Sequence, residues 1–163
     1  MNTKTMQFNT RVDLPESTRQ AVVERLNLHL ANTLDLRSQV KQAHWTLKGP
    51  QFFARHQLFD HVAEHLEAQA DELAERISTL GGYPRGTTHL VAATSIITRF
   101  DTGNVVGSRL IKDLIDRFAL HAKVIREMLE PVDRDDPASA DMLTSQLRAV
   151  ELDLWFFESH FNA

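Results

Sequence analysis

Residues 41–82 read KQAHWTLKGPQFFARHQLFDHVAEHLEAQADELAERISTLGG, and their spacing decides the fold. Phe59, Val62, Leu66, Leu73, Ile77 and Leu80 recur at helical intervals, so the segment after Gly49-Pro50 is expected as one long helix with a core-facing stripe. Beside the stripe run two pairs of residues able to hold a metal, His56 with Asp60 and Asp71 with Glu75. Spacing i, i+4 stacks two side chains on one helix face a turn apart. At about 100° per residue, all four fall within a sector of roughly 100°. A single pair of this kind is ordinary decoration of a solvated helix. Two pairs in a mirror arrangement are harder to assign to decoration alone.

The pairs cannot meet on one metal within one chain. From His56 to Asp71 is 15 residues (71 − 56), roughly 22 Å along a helix, whereas metal–ligand bonds are about 2 Å. The numbering nevertheless has a symmetry: 56 with 75 and 60 with 71 share a midpoint between His65 and Leu66. A second copy of the helix crossing antiparallel there would bring His56 toward the partner subunit's Glu75, and Asp60 toward the partner subunit's Asp71. A two-fold dimer would carry two such clusters.

The rest of the chain suits a soluble bundle. Its 163 residues, 42% hydrophobic and 25% charged, fit one domain with a sizeable core. A net charge of −4 and a sequence pI near 6.0 argue against a body-wide affinity for nucleic acid or anionic membrane. There is no cysteine, which removes disulfides and thiolate metal sites and fits a reducing cytoplasm. No apolar run is long enough to span a membrane, and the first residues lack a hydrophobic signal region. A cytoplasmic location is therefore expected, with nucleoid association as a variant of it.

Residues 1–14 are polar and aperiodic and are expected as a flexible arm, with one domain over 15–163. Pro15 and Glu16 open a first helix running to about Lys48, with Val22, Leu26, Leu30, Leu34 and Val40 inside. Gly49-Pro50 ends it, and a second helix follows over about 53–80, stopping at Gly81-Gly82. Residues 83–103 are irregular, with VAATSIIT as a short helix. A third helix starts near Val105, carries Leu110, Leu114, Ile115, Phe118 and Ile125, and is expected to stop before Pro131. Asp136-Pro137 opens a fourth, 137–160, ending in Trp155, Phe156, Phe157 and Phe161. The expected fold is all-α, a four-helix bundle with a short extra helix in a long connection between helices two and three, as in ferritin-like topology.

His44, near the end of the first helix, extends the ligand set to imidazoles and carboxylates, which suit iron, zinc or manganese rather than copper(I) or iron–sulfur clusters. With KQAHWTLKGP, RHQLFD and DELAERISTLGG in place, and GTTHL, ADML and LWFFES further on, the chain resembles the Dps proteins, miniature ferritins, over about residues 14–160. The resemblance implies a ferroxidase site made of His44, His56 and Asp60 of one subunit with the partner subunit's Asp71 and Glu75. It implies a role for Trp45 beside that site, as an acceptor of oxidising equivalents or an aromatic anchor. It further implies a hollow homo-oligomer of twelve subunits that oxidises iron(II), preferably with hydrogen peroxide, and stores the ferric product, with zinc or manganese as competitors. Glu130, Asp133, Asp135, Asp136 and Asp141 correspond to the region of the family's cation pores, although helix capping explains Asp136 as well.

Two features lie outside the resemblance. Glu64 and Glu67 are mirror-related about the same midpoint and offer a secondary metal site, against the reading that they are solvated carboxylates. His61-Val-Ala-Glu-His65 matches the HxxEH pattern of inverted zinc peptidases, on a five-residue match and on a helix side away from the apolar stripe. A DNA-compacting shell with little ferroxidase activity is the other alternative. The arm argues for weak or absent DNA binding, because before Pro15 it offers only Lys4 and Arg11 as basic side chains, opposed by Asp13.

Overall fold

The computed structural model describes residues 8–161. Five helices follow one another: α1 (Glu16–Thr46), α2 (Phe52–Thr79), the short α3 (Thr88–Thr94), α4 (Gly107–Asp135) and α5 (Pro137–Glu158). Each apolar stripe must be buried against another, and the four long helices do so in adjacent pairs. α1 lies along α2 and α4 along α5, while α1 with α4 and α2 with α5 close the ring. The α2 stripe of Phe59, Val62, Leu66, Leu73, Ile77 and Leu80 is buried throughout. At one end of the core, Phe157 of α5 meets Phe59 edge-on at 6.1 Å and Phe118 at 5.1 Å, the geometry that aromatic quadrupoles favour.

α2 ends as its sequence dictates. Gly81 takes φ +80°, the left-handed conformation that costs glycine little. Its N–H bonds to the Ser78 carbonyl and that of Gly82 to the Ile77 carbonyl, both at 2.9 Å, which together satisfy the last carbonyls of the helix. Gly82 has a packing reason besides, since a Cβ there would lie 2.5 Å from a methyl of Val23.

The structure corrects two expectations. α4 does not stop before Pro131 but runs through it to Asp135. Proline removes one N–H at that turn, at a cost met by the full burial of Val132 and by the Asp136 N–H bond to the Val132 carbonyl. The short helix occupies Thr88–Thr94, starting before VAATSIIT and ending halfway through it. Of the terminal aromatics only Phe157 is fully buried, while Trp155 and Phe161 are about half exposed.

Of the arm expected over 1–14, residues 1–7 lie outside the described residues. Beyond them, the Phe8 N–H bonds to the Gly81 carbonyl at 2.7 Å, the Thr10 hydroxyl donates to the Thr79 carbonyl, and Val12 and Leu14 pack on the core.

Buried polar side chains hold the long connection. Asn27 accepts from the Arg85 N–H at 2.8 Å and donates to the Tyr83 carbonyl; Asn32 accepts from the Ile96 N–H at 3.0 Å. Arg117 donates to Gln39 and to the Thr98, Arg99 and Asp113 carbonyls, its guanidinium 5.6 Å over the Phe100 ring. A buried polar group left unpaired is costly, and here the loop's backbone and the helices' side chains pair with one another, apart from the buried Asn32 Nδ2, which has no partner.

Candidate metal centre

The turn between α1 and α2 brings His44 and His56 face to face. Their rings stack with centroids 3.6 Å apart. His44 Nδ1 lies 3.0 Å from the His56 carbonyl oxygen, and His56 Nδ1 lies 3.2 Å from the His44 carbonyl oxygen. A carbonyl can only accept, so each Nδ1 carries the proton, and in the neutral ring Nε2 keeps its lone pair. This is how metal-ligating histidines are oriented, with one nitrogen tied to a carbonyl and the other free for the metal.

Asp60, one turn after His56, stands with its Oδ1 3.8 Å from His44 Nδ1. The same oxygen accepts a 2.6 Å bond from the Lys41 ammonium of α1. Lys41 first, and the two imidazoles by their charge, hold the Asp60 carboxyl below its usual range despite some desolvation, so it is an anion throughout neutral pH. Three of the five expected ligands are thus neighbours. Asp71 and Glu75 are not with them: both are exposed further along α2, and Glu75 lines a surface hollow with Glu72, Arg76 and Asp141. Among the described residues no three His, Asp or Glu side chains form a closed metal cage within the chain.

Trp45 is 66% exposed, so it anchors no core of its own chain. With Phe52 and Phe53 it leaves large apolar surface beside the histidine pair. Of the acidic residues around the α4–α5 junction, Glu130, Asp133 and Asp141 line one open hollow of about 620 Å³. Asp135 faces Arg25 at 3.8 Å and Arg134. Asp136 is buried at the start of α5, bound to the Ser139 hydroxyl and, at 2.6 Å, to Arg76. Burial pushes its carboxyl up, but these bonds outweigh burial and leave it below the ordinary range. Asp136 therefore serves the helix junction. Glu64 is exposed, whereas Glu67 is paired with Arg37 of α1, which a secondary metal site would have to displace.

Lys41 escaped sequence reasoning, although it lies three residues before His44; nothing in spacing says which carboxylate a lysine will choose. A second group escaped it too. His29 and His121 are fully buried with rings 5.0 Å apart. His29 Nε2 bonds to Gln146 Oε1 at 2.8 Å, Gln146 donates to Glu72 at 2.7 Å, and the Thr33 hydroxyl lies between the rings. Burial lowers the His29 pKa to about 4, and burial with the neighbouring His29 lowers that of His121 well below its ordinary value. Both are neutral core residues. The HxxEH pair lies at the seam with α5, where His65 Nδ1 meets Asp153 at 3.2 Å. A catalytic zinc needs three protein ligands, and among the described residues no third joins this pair.

The architecture matches known proteins along nearly its whole length. A ferritin-like domain model matches residues 23–163. The DNA protection during starvation protein of Agrobacterium fabrum is 37% identical over 152 residues, covering 93% of this chain and 94% of that one. The fine tangled pili major subunit of Haemophilus ducreyi is 32% identical, over 91% of this chain and 79% of that one. Among solved structures, DpsA14 from Streptomyces coelicolor superposes with a TM-score of 0.92 at 27% identity, covering 98% and 95% of the two chains. A Dps protein from Vibrio cholerae, described as a member of a broad superfamily of ferritin-like diiron-carboxylate proteins, gives 0.86 at 25% identity, covering 95% and 98%. By bundle, crossover and sequence alike, this chain belongs to the ferritin-like proteins and, among them, to the Dps family.

Proposed function

We propose that this protein is a ferroxidase and iron-storage shell whose oxidation site is shared between two subunits. The observation that carries the reading is the reciprocal histidine clamp: two Nδ1–carbonyl bonds leave two Nε2 lone pairs for a metal, and an ionised Asp60 stands one turn after His56. Imidazole and carboxylate suit iron(II), which is here the substrate. The partner subunit's Asp71 and Glu75 supply the remaining negative charge, since the ~22 Å along α2 keeps this chain's own pair away. The exposed Trp45, Phe52 and Phe53 are apolar surface of the kind a subunit contact covers.

In the reaction two iron(II) ions each give one electron to one hydrogen peroxide, whose O–O bond breaks to leave two hydroxide ions, so no one-electron hydroxyl radical is released. The chain's own contribution is to bind and charge-balance the ions. His44 and His56 offer fixed lone pairs, Asp60 offers an anion once Lys41 yields, and Trp45 stands next to His44 as a donor of a stray electron. Peroxide is the preferred oxidant, ferric mineral is stored within a twelve-subunit cytoplasmic shell, zinc and manganese compete for the ligands, and Glu130, Asp133 and Asp141 draw cations inward.

The test is the Asp71→Ala/Glu75→Ala variant, in which alanine preserves helix propensity. Its initial rate of iron(II) oxidation under peroxide should fall at least tenfold with the fold intact by circular dichroism. A wild-type initial rate would refute the site.

A further inference from the structure

His61 and His65 carry a motif that iron oxidation leaves unused. They stand one turn apart on α2 with ring centroids 4.0 Å apart and planes at 60°, five residues beyond His56 (61 − 56) and so about 140° round the helix from it. His61 is exposed, and the His65 side chain keeps 36% of its accessibility. Behind His65 stands Asp153 of α5, whose relative exposure is 0%. Asp153 Oδ1 is 3.2 Å from His65 Nδ1, and its Oδ2 is buried with no hydrogen-bond partner. A desolvated carboxylate with one half-exposed partner is under-compensated. Positive charge held on the imidazoles would relieve it.

We propose that His61 and His65 form a two-histidine site for a borderline divalent transition cation of the zinc(II) class, oriented from behind by Asp153. Two imidazole nitrogens bound to one zinc at 2.0–2.1 Å lie about 3.4 Å apart at a tetrahedral angle. The observed ring centroids, 4.0 Å apart, are of that order. Asp153 accepts the Nδ1 proton of His65, which sets the tautomer with the lone pair on Nε2 and raises its basicity, the carboxylate–histidine–metal arrangement. Water completes the coordination, as no third protein ligand is at hand among the described residues. The site takes the HxxEH spacing without the chemistry of a peptidase, and it is independent of the histidine clamp at His44 and His56.

Equilibrium dialysis of the full-length assembled protein against zinc(II) tests it. In a His44→Ala/His56→Ala background, which silences the clamp, one zinc per chain should remain, and adding either His61→Ala or His65→Ala should remove it. Asp153→Asn should keep the stoichiometry while weakening affinity roughly 10- to 100-fold. His61 is exposed, so its loss leaves the core untouched and the test does not depend on Asp153 variants folding. Zinc binding unchanged by His61→Ala overturns the proposal. So does loss with His65→Ala alone, which would mean that His65 and Asp153 form only an internal ion pair.

Discussion

His44 and His56 each hold the other's ring: Nδ1 of each donates to the backbone carbonyl of the other, at 3.0 and 3.2 Å, across a stack of 3.6 Å. The clamp makes the turn between α1 and α2 part of the site, because the carbonyls that orient the rings belong to the last turn of one helix and the first turns of the next. Whatever binds there meets rings already fixed, so little side-chain entropy remains to be lost.

Lys41 is the clamp's electrostatic guard. Its ammonium occupies the Asp60 oxygen that an iron(II) ion needs, and it repels the ion besides. Lys41→Met should therefore tighten iron(II) binding, by roughly two- to tenfold given that the pair is half-exposed and screened. It should also let the Asp60 carboxyl rise toward its ordinary range. Anaerobic iron(II) titration at low ionic strength reads the first effect, and unchanged or weaker binding would show that Lys41 does not compete.

Shared sites can be rebuilt from halves. Subunits carrying His44→Ala/His56→Ala, mixed with subunits carrying Asp71→Ala/Glu75→Ala, should regain part of the wild-type oxidation rate, because some interfaces then contain one intact ligand set. Each variant alone should stay inactive. Verified mixed dimers that remain inactive would count against a site shared between subunits.

The buried His29 makes stability fall in acid. Its folded pKa of about 4 lies below the ordinary 6.5, so as pH drops the unfolded chain takes up a proton first. Its contribution is complete above about pH 6.5 and is lost between there and about 4. At 1.36 kcal/mol per unit the loss is about 3 kcal/mol, and His121 adds in the same direction. Denaturant midpoints measured from pH 7 to 4 should show this slope, and His29→Gln should flatten it. A variant slope equal to the wild type would remove His29 from the account.

DNA binding should be weak at about 150 mM salt. Affinity for duplex DNA comes mainly from neutralised phosphates, and the segment before Pro15 offers Lys4 and Arg11 against Asp13, on a chain of net charge −4. Lys4 lies outside the described residues. Tight retention of linear DNA in a gel-shift titration with metal-free assembled protein would contradict this.

What the sequence made legible was whatever depends on local period. All six residues of the α2 stripe are buried, the Gly81-Gly82 stop is built as its glycines suggest, and the His56/Asp60 spacing does bring those side chains to His44. What stayed illegible depends on partners far apart in the chain. Pro131 reads as a stop, yet packing of Val132 carries the helix past it. Asn27, Asn32 and Arg117 look like ordinary polar residues of a helix, and their burial becomes intelligible only with the crossover laid against them. Asp136 reads equally as pore or cap until Arg76, 60 residues away, is seen to bind it.

The polar pins of the crossover bear on the order in which the bundle can assemble. Asn27 to Tyr83 spans 56 residues, Asn32 to Ile96 spans 64 and Gln39 to Arg117 spans 78, so each closes a long loop. The α1–α2 and α4–α5 hairpins, by contrast, join helices that are neighbours in sequence. Loop-closure entropy favours the hairpins first. On that ground the crossover is expected to lock late, and its amides should exchange with deuterium sooner than those of the helices it spans.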